Sequence, residues 1–217
     1  MSELAPSPMA TLRTSWTAPA RGALFVVSGA SGTGKTTLLR AALDALPGIE
    51  FSVSVTTRVS RPGEVHGRDY WFISPEEYAG RVERGELLEH AGVYDKAYGT
   101  PRAPVEAALA EGRSILLDID VQGARQVRAC LPEAVSVFIL PPSVASMEAR
   151  LRARGDAEAV IQRRMAQSAE QLQGAREYDY LVLNDELAAA HAQFQSVLVG
   201  ALLRRERRMP WIERLLP

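Results

Sequence analysis

Gly29-Ala30-Ser31-Gly32-Thr33-Gly34-Lys35-Thr36 is the run with the clearest chemistry, fitting G-x4-G-K-[ST]. It follows the apolar ALFVVS and opens KTTLLRAAL, so a strand should lead in and a helix lead out, the context that marks a P-loop. Glycines let backbone N–H groups turn inward onto phosphate oxygens, and the helix N-terminus adds its dipole. Lys35 can reach the β- and γ-phosphates of a nucleoside triphosphate, and the Thr36 hydroxyl, with Thr37 behind it, can ligate Mg²⁺. A second acidic element, ILLDID, ends in Asp118 and Asp120. Either could hold that Mg²⁺ through water. Asp120 also suits a helix N-cap, and Asp118 falls at the carboxyl end of a strand, where open α/β sheets place their ligands.

Arg58 and Arg61 stand three apart before Pro62-Gly63, a spacing that excludes a core position. Solvated surface is the usual fate of arginine. The alternative is convergence with Tyr70 and Tyr98 on one phosphate, as fork-shaped donors beside phenolic hydroxyls. Spacing alone leaves both readings open.

These groups need a scaffold. From Ala23, short apolar runs alternate with helical stretches: Ala23–Ser28, Phe51–Val55, Tyr70–Ile73, Leu87–Val93, Ile115–Leu117, Val135–Leu140 and Leu181–Leu183 read as strands. Lys35–Leu46, Glu76–Arg84, Pro104–Glu111, Gly123–Cys130, Val144–Arg154, Glu158–Glu177 and Glu186–Arg207 read as helices. Val/Ile/Leu-rich strands without alternation, separated by helices, predict an α/β fold whose mostly parallel sheet is covered on both faces. The polar and aromatic stretch from Tyr70 to Val93 predicts a small mixed lobe inserted into that core. The basic run Arg204–Arg208 is expected to close the last helix, where cations complement the dipole. Cys130, inside a helix, is expected to be a small buried hydrophobe.

Composition bounds the rest. The 217 residues carry 25 Lys+Arg and 26 Asp+Glu, a formal charge of −1, which disfavours a dedicated nucleic-acid binder. A chain this long can bury roughly 70% of its unfolded surface without a metal or disulfide staple. One cysteine excludes an intramolecular disulfide framework and points to a reducing, cytoplasmic setting. No run of 18 apolar residues predicts a membrane span. His66, His90 and His191 show no zinc-ligand spacing with Cys130. Residues 1–21, rich in Pro, Ser, Thr and Ala, read as a flexible leader, since their prolines spoil the amphipathic helix of a transit peptide. Nothing in the composition decides for or against a homo-oligomer.

GASGTGKTT, SVTTRVSRPGEVHGRDYWF, ELLEHAGVYDKAYGTP, ILLDIDVQGA, IQRRM and LVLNDEL together resemble the guanylate kinase family of P-loop nucleoside monophosphate kinases, over about residues 22–208. The resemblance implies a core (about 22–53, 101–140 and 180–208), a GMP-binding lobe (about 54–100), a helical lid (about 141–179) and a tail (209–217). It implies ATP as phosphate donor, GMP as acceptor and Mg²⁺ as cofactor. Arg58, Arg61, Tyr70 and Tyr98 would bind the GMP phosphate, and Ser54, Glu89, Thr100 and Asp118 would read the guanine. A carboxylate at Glu89 accepts both guanine N1–H and the exocyclic amine, whereas adenine presents an acceptor at N1. Hydroxyls of Ser54 and Thr100 would donate to O6 and N7. Arg150 and Arg154, one turn apart, and Arg164, next to Arg163, match the arginines that close over the γ-phosphate. Asn184 matches a residue near adenine, and equally suits a strand end or helix N-cap. Two rivals remain: a protein-binding scaffold of similar sequence, which would not need an intact P-loop, and a P-loop kinase for another acceptor.

Overall fold

A computed structural model describes residues 22–216 except 47, 94, 95, 154 and 156. The predicted leader therefore lies outside the described residues. β1 (Leu24–Ser28) is buried along its whole length. Its alternate side chains enter different layers: Phe25 and Val27 pack with Leu38, Ala42, Phe194 and Leu198, while Leu24 and Val26 meet Val105, Leu109, Ala124 and Val127. Burial on both faces is why the strand reads as an unbroken apolar run. It pairs in parallel with β7 (Ser114–Asp118) on one side and β8 (Val135–Leu140) on the other. With β2 (Ile49–Phe51) and β9 (Tyr180–Leu183) at the edges, the order is β2-β7-β1-β8-β9, all parallel. The carboxyl ends of β1 and β7 lie side by side, Val27 opposite Asp118.

The layers over this sheet are helical. α1 (Lys35–Ala45) follows β1, α2 (Pro75–Glu83) belongs to the inserted region, α3 (Arg102–Ala110) follows that region, and α4 (Val121–Cys130) follows β7. Then come α5 (Val144–Ala153), α6 (Glu158–Gly174) with a short 3₁₀ turn, α7 (Leu187–Leu202) and α8 (Arg205–Leu215). A second, mixed sheet has the order β4-β3-β6-β5: β4 (Trp71–Phe72), β3 (Val55–Thr56), β6 (Lys96–Pro101) and β5 (Leu87–Val93). β3 runs parallel to β4 and antiparallel to β6, and β6 runs antiparallel to β5. The fold is the two-sided parallel α/β sheet with a mixed lobe that the sequence predicts.

Four local readings are corrected. The run Phe51–Val55 is two strands in two sheets: the Ser52 amide donates to Leu116 in the first, and the Ser54 carbonyl accepts from Trp71 in the second. Ser52-Val53-Ser54 is thus the crossing between lobes. β6 was not predicted at all, because KAYGTP carries neither an apolar run nor alternation. The last helix breaks after Leu202, and Arg204 caps a new one. The basic run therefore opens α8 rather than closing α7, and Arg207 Nη1 donates to the Gly22 carbonyl. Cys130 is exposed. Val121, Ala124 and Val127 form the buried stripe of α4, and Cys130 falls off it.

Candidate active site

The loop between β1 and α1 is shaped from both sides. Gly34 caps α1 at φ 86°, left-handed backbone suited to glycine, and no side chain caps the helix. The Thr37 N–H turns back to the Gly34 carbonyl at 3.1 Å, and no side chain competes with an anion for the Lys35 and Thr36 N–H groups. Behind the loop, Asn184 Nδ2 donates to the Thr33 carbonyl at 2.6 Å, and Arg150 Nη1 donates to the same oxygen at 3.0 Å. Arg150 Nη2 then donates to the Asn184 carbonyl at 3.3 Å. In a trans peptide N–H opposes C=O, so fastening the Thr33 carbonyl outward turns the Gly34 N–H inward. The Thr33 hydroxyl is buried without a hydrogen-bond partner. Lys35 forms an ion pair with Asp118 at the end of the neighbouring strand.

A cavity of about 760 Å³ joins this loop to the mixed sheet. On the far wall Glu89 of β5 is 3% exposed, and its Oε1 accepts from Thr100 Oγ1 of β6 at 2.7 Å. Burial raises its carboxyl to about 7, Asp120 adds to the rise, and the Thr100 hydroxyl opposes it. A side chain at Gly123 would displace the Glu89 carboxylate, since its Cβ would lie 2.4 Å from Glu89 Oε2. Asp120 caps α4 by accepting from the Gly123 amide at 2.8 Å, as its N-cap reading anticipated. The two aspartates thus part company: Asp118 faces Lys35, and Asp120 faces Glu89.

The cavity gathers residues 28–37, which include every P-loop residue and Thr37, with Ser54, Tyr70, Glu89, Tyr98, Asp118, Asp120, Arg150 and Arg164. The rings of Tyr70 and Tyr98 meet edge-on at 6.0 Å. Arg58 is not on the lining itself but stands against it, 5.3 Å from the Tyr70 ring centre, with Tyr98 among the groups that favour its charged form after Glu64. Arg61 is exposed, Thr100 is buried behind Glu89, and Asn184 is buried behind the P-loop, so these three are off the lining. Asn184 is not an N-cap: Glu186 caps α7, accepting from Ala188 and Ala189 at 3.1 and 2.9 Å. Of the adjacent arginines, Arg164 lines the cavity and Arg163 is exposed. Arg154 lies outside the described residues.

Gln167 and Gln171 also line the cavity and went unnoticed in the sequence. Their signal was present: with Arg164 they form one face of a helix at spacings of three and four. Among the described residues no three His, Cys, Asp or Glu side chains gather as a metal site, and no helix is long and apolar enough to cross a membrane.

Known proteins resemble this chain in sequence and in fold. A family model described as guanylate kinase matches residues 21–201. A guanylate kinase of Nitrobacter winogradskyi is 52% identical over 190 residues, 87% of either chain, and one of Bradyrhizobium diazoefficiens is 49% identical over 191, again 87% of each. The crystal structure of guanylate kinase from Anaplasma phagocytophilum superposes with a TM-score of 0.72 at 32% identity, covering 88% of this chain and 92% of that one. With an intact phosphate loop facing a buried carboxylate across one cavity, the chain belongs to the guanylate kinase family.

Proposed function

We propose the following division of labour for the reaction of this family, the transfer of the γ-phosphate of ATP to GMP to give ADP and GDP. The observation that carries it is the single cavity whose one end is an uncapped P-loop and whose other end is the buried carboxylate of Glu89. The loop N–H groups and Lys35 hold the ATP phosphates, with Lys35 exchanging Asp118 for them. Glu89 accepts guanine N1–H and the exocyclic amine. Thr100 acts on the base by orienting Glu89, and Ser54 donates to the guanine edge. Tyr70, Tyr98, Arg58 and Arg61 gather the acceptor phosphate. Arg164 from α6 and Arg150 from α5, both on the cavity lining, act at the γ-phosphate, and Arg150 also braces the loop together with Asn184 behind it. For Arg154 the proposal rests on the resemblance alone.

A GMP phosphate oxygen attacks the γ-phosphorus in line, the bond to the ADP oxygen breaks, and no covalent enzyme intermediate forms. A general base is not required, because a phosphate monoester is already largely ionised near neutral pH. Mg²⁺ fits only as a companion of the triphosphate: Thr36 offers a hydroxyl, and Asp118 or Asp120 a carboxylate through water, hard oxygens of the kind it prefers. When bound, the ion would neutralise charge shared by the β- and γ-phosphates. Residues 54–100 serve as the acceptor lobe and 141–179 as the lid on a core of 22–53, 101–140 and 180–208. The reaction belongs in the cytoplasm, where both nucleotides are found, in purine nucleotide metabolism and GMP recycling.

A coupled assay with GMP, dGMP, AMP and UMP tests the reading. GMP should be phosphorylated at least roughly 10⁴-fold more efficiently than AMP, as befits a site built to hydrogen-bond one base. Equal turnover of AMP or UMP, or none of GMP, would defeat it.

A further inference from the structure

Glu64 is not on the cavity, yet the acceptor side is built around it. Arg61-Pro62-Gly63-Glu64 is a tight turn: the Glu64 amide donates to the Arg61 carbonyl at 3.0 Å, and Gly63 sits at φ 88°. The turn folds the Glu64 carboxylate back onto Arg58. Oε1 accepts from Nη2 and Oε2 from Nη1, both at 2.8 Å, and Oε2 also accepts from the Arg61 amide at 2.7 Å. The pair is well covered, with the arginine side chain 13% and the glutamate side chain 20% exposed. Arg58 Nη1 gives its other hydrogen to the Val59 carbonyl at 2.9 Å. On its flat face the guanidinium lies 5.3 Å from the Tyr70 ring centre and 5.6 Å from that of Phe72.

These bonds use three of the five guanidinium N–H groups and hold the plane from its end and its face. What they leave is the side edge, Nε with the second Nη2 hydrogen, which has the geometry for two parallel bonds to a phosphate. An arginine on a loop otherwise samples many rotamers, and ordering it at the moment of binding weakens the complex. The same carboxylate also fixes the backbone of Arg61, the second arginine of the pair. One carboxylate therefore holds the Arg58 guanidinium and the Arg61 backbone together.

We propose that Glu64 is a positioning residue for the acceptor phosphate, holding Arg58 by one edge so that its other edge meets the phosphate of the nucleoside monophosphate. This rests on the guanylate kinase reading above. Glu64 is ionised throughout the working range, because the Arg58 and Arg61 hydrogen bonds bring its carboxyl down to about 2. Its contribution to acceptor binding is accordingly independent of pH.

The test compares Glu64→Gln, Arg58→Ala and the double variant with wild type, using GMP, guanosine and ATP as probes. Glu86→Gln serves as control, since its exposed pair with Arg84 is of similar length but off the cavity. Glu64→Gln should raise KM for GMP about tenfold or more, the range of a lost charge-assisted hydrogen bond. ATP KM and guanosine affinity should stay within twofold, and the double variant should be no worse than Arg58→Ala. Glu86→Gln should match wild type. An unchanged KM for GMP in Glu64→Gln would overturn the proposal. So would an equal loss of guanosine binding, which would mark a collapsed loop, or additive losses in the double variant. A wild-type protein that cannot phosphorylate GMP would instead remove the functional reading on which the proposal stands.

Discussion

Glu89 is asked to do two things that oppose each other. As the proposed acceptor of guanine it must be ionised, but burial favours its protonated form and lifts the carboxyl from the usual 4.5 to about 7. GMP should therefore bind more weakly as pH falls below about 7, by up to tenfold per pH unit, and calorimetry from pH 5.5 to 8.5 would trace this. Stability should move the other way. Between pH 4.5 and 7 the folded chain keeps a proton that the unfolded chain releases, so stability falls as pH rises, by at most about 3 kcal/mol. Glu89→Gln should cut kcat/KM for GMP more than tenfold, flatten its pH dependence and raise Tm above pH 7. A variant with lower Tm at pH 8 would show that the buried carboxylate is not under this stress. At the other end, Lys35→Ala should keep its circular dichroism and lose roughly 10²-fold in turnover, the cost of one preorganised charge at the transferring group. Turnover within twofold of wild type would remove Lys35 from the chemistry.

Among the elements, α4 serves the acceptor site through a residue without a side chain. Gly123 leaves the space that Glu89 Oε2 fills. Gly123→Ala, normally favourable inside a helix, should here push the carboxylate aside and raise KM for GMP about tenfold. Kinetics showing a normal KM would mean that Glu89 adapts freely. How much of this could be read beforehand depended on how local the cause was. The P-loop, the buried strands of the parallel sheet and the Asp120 cap were legible because each follows from its own few residues. β6 was not: Lys96–Pro101 contains Gly99 and Pro101, and it is a strand because β3 and β5 pair with it on either side. The end of α7 was equally silent, since Leu203 and Arg204 are ordinary helix residues and Gly200 falls a turn before the break rather than at it. Arg58 with Glu64, six residues apart across a turn, lay between these cases.

For the whole molecule, donor and acceptor groups come from different sheets yet face one space. Ligands for the two ends should therefore stabilise the fold separately. At about 100 times its Kd, each should add about 2.7 kcal/mol, or roughly 5–10 °C in Tm for a chain of this size. Differential scanning fluorimetry should find that Glu89→Gln loses the GMP shift and keeps the shift given by a non-hydrolysable ATP analogue. Loss of both shifts would mean that the ends are not independent.

The parallel pairing of β1 also sets a clock on synthesis. The strand that carries the phosphate loop leaves the ribosome before both strands it pairs with, and the Ala23 amide waits for Ser114, 91 residues later. Asn184, which fastens the loop from behind, follows Thr33 by 151 residues. At about 5–20 residues per second, the loop residues spend roughly 5–20 s without their neighbouring strand and longer without their brace. A nascent chain of this protein therefore has the residues of a nucleotide site long before it has the site. ATP, abundant around it, cannot act on the braced loop until Asn184 has been made.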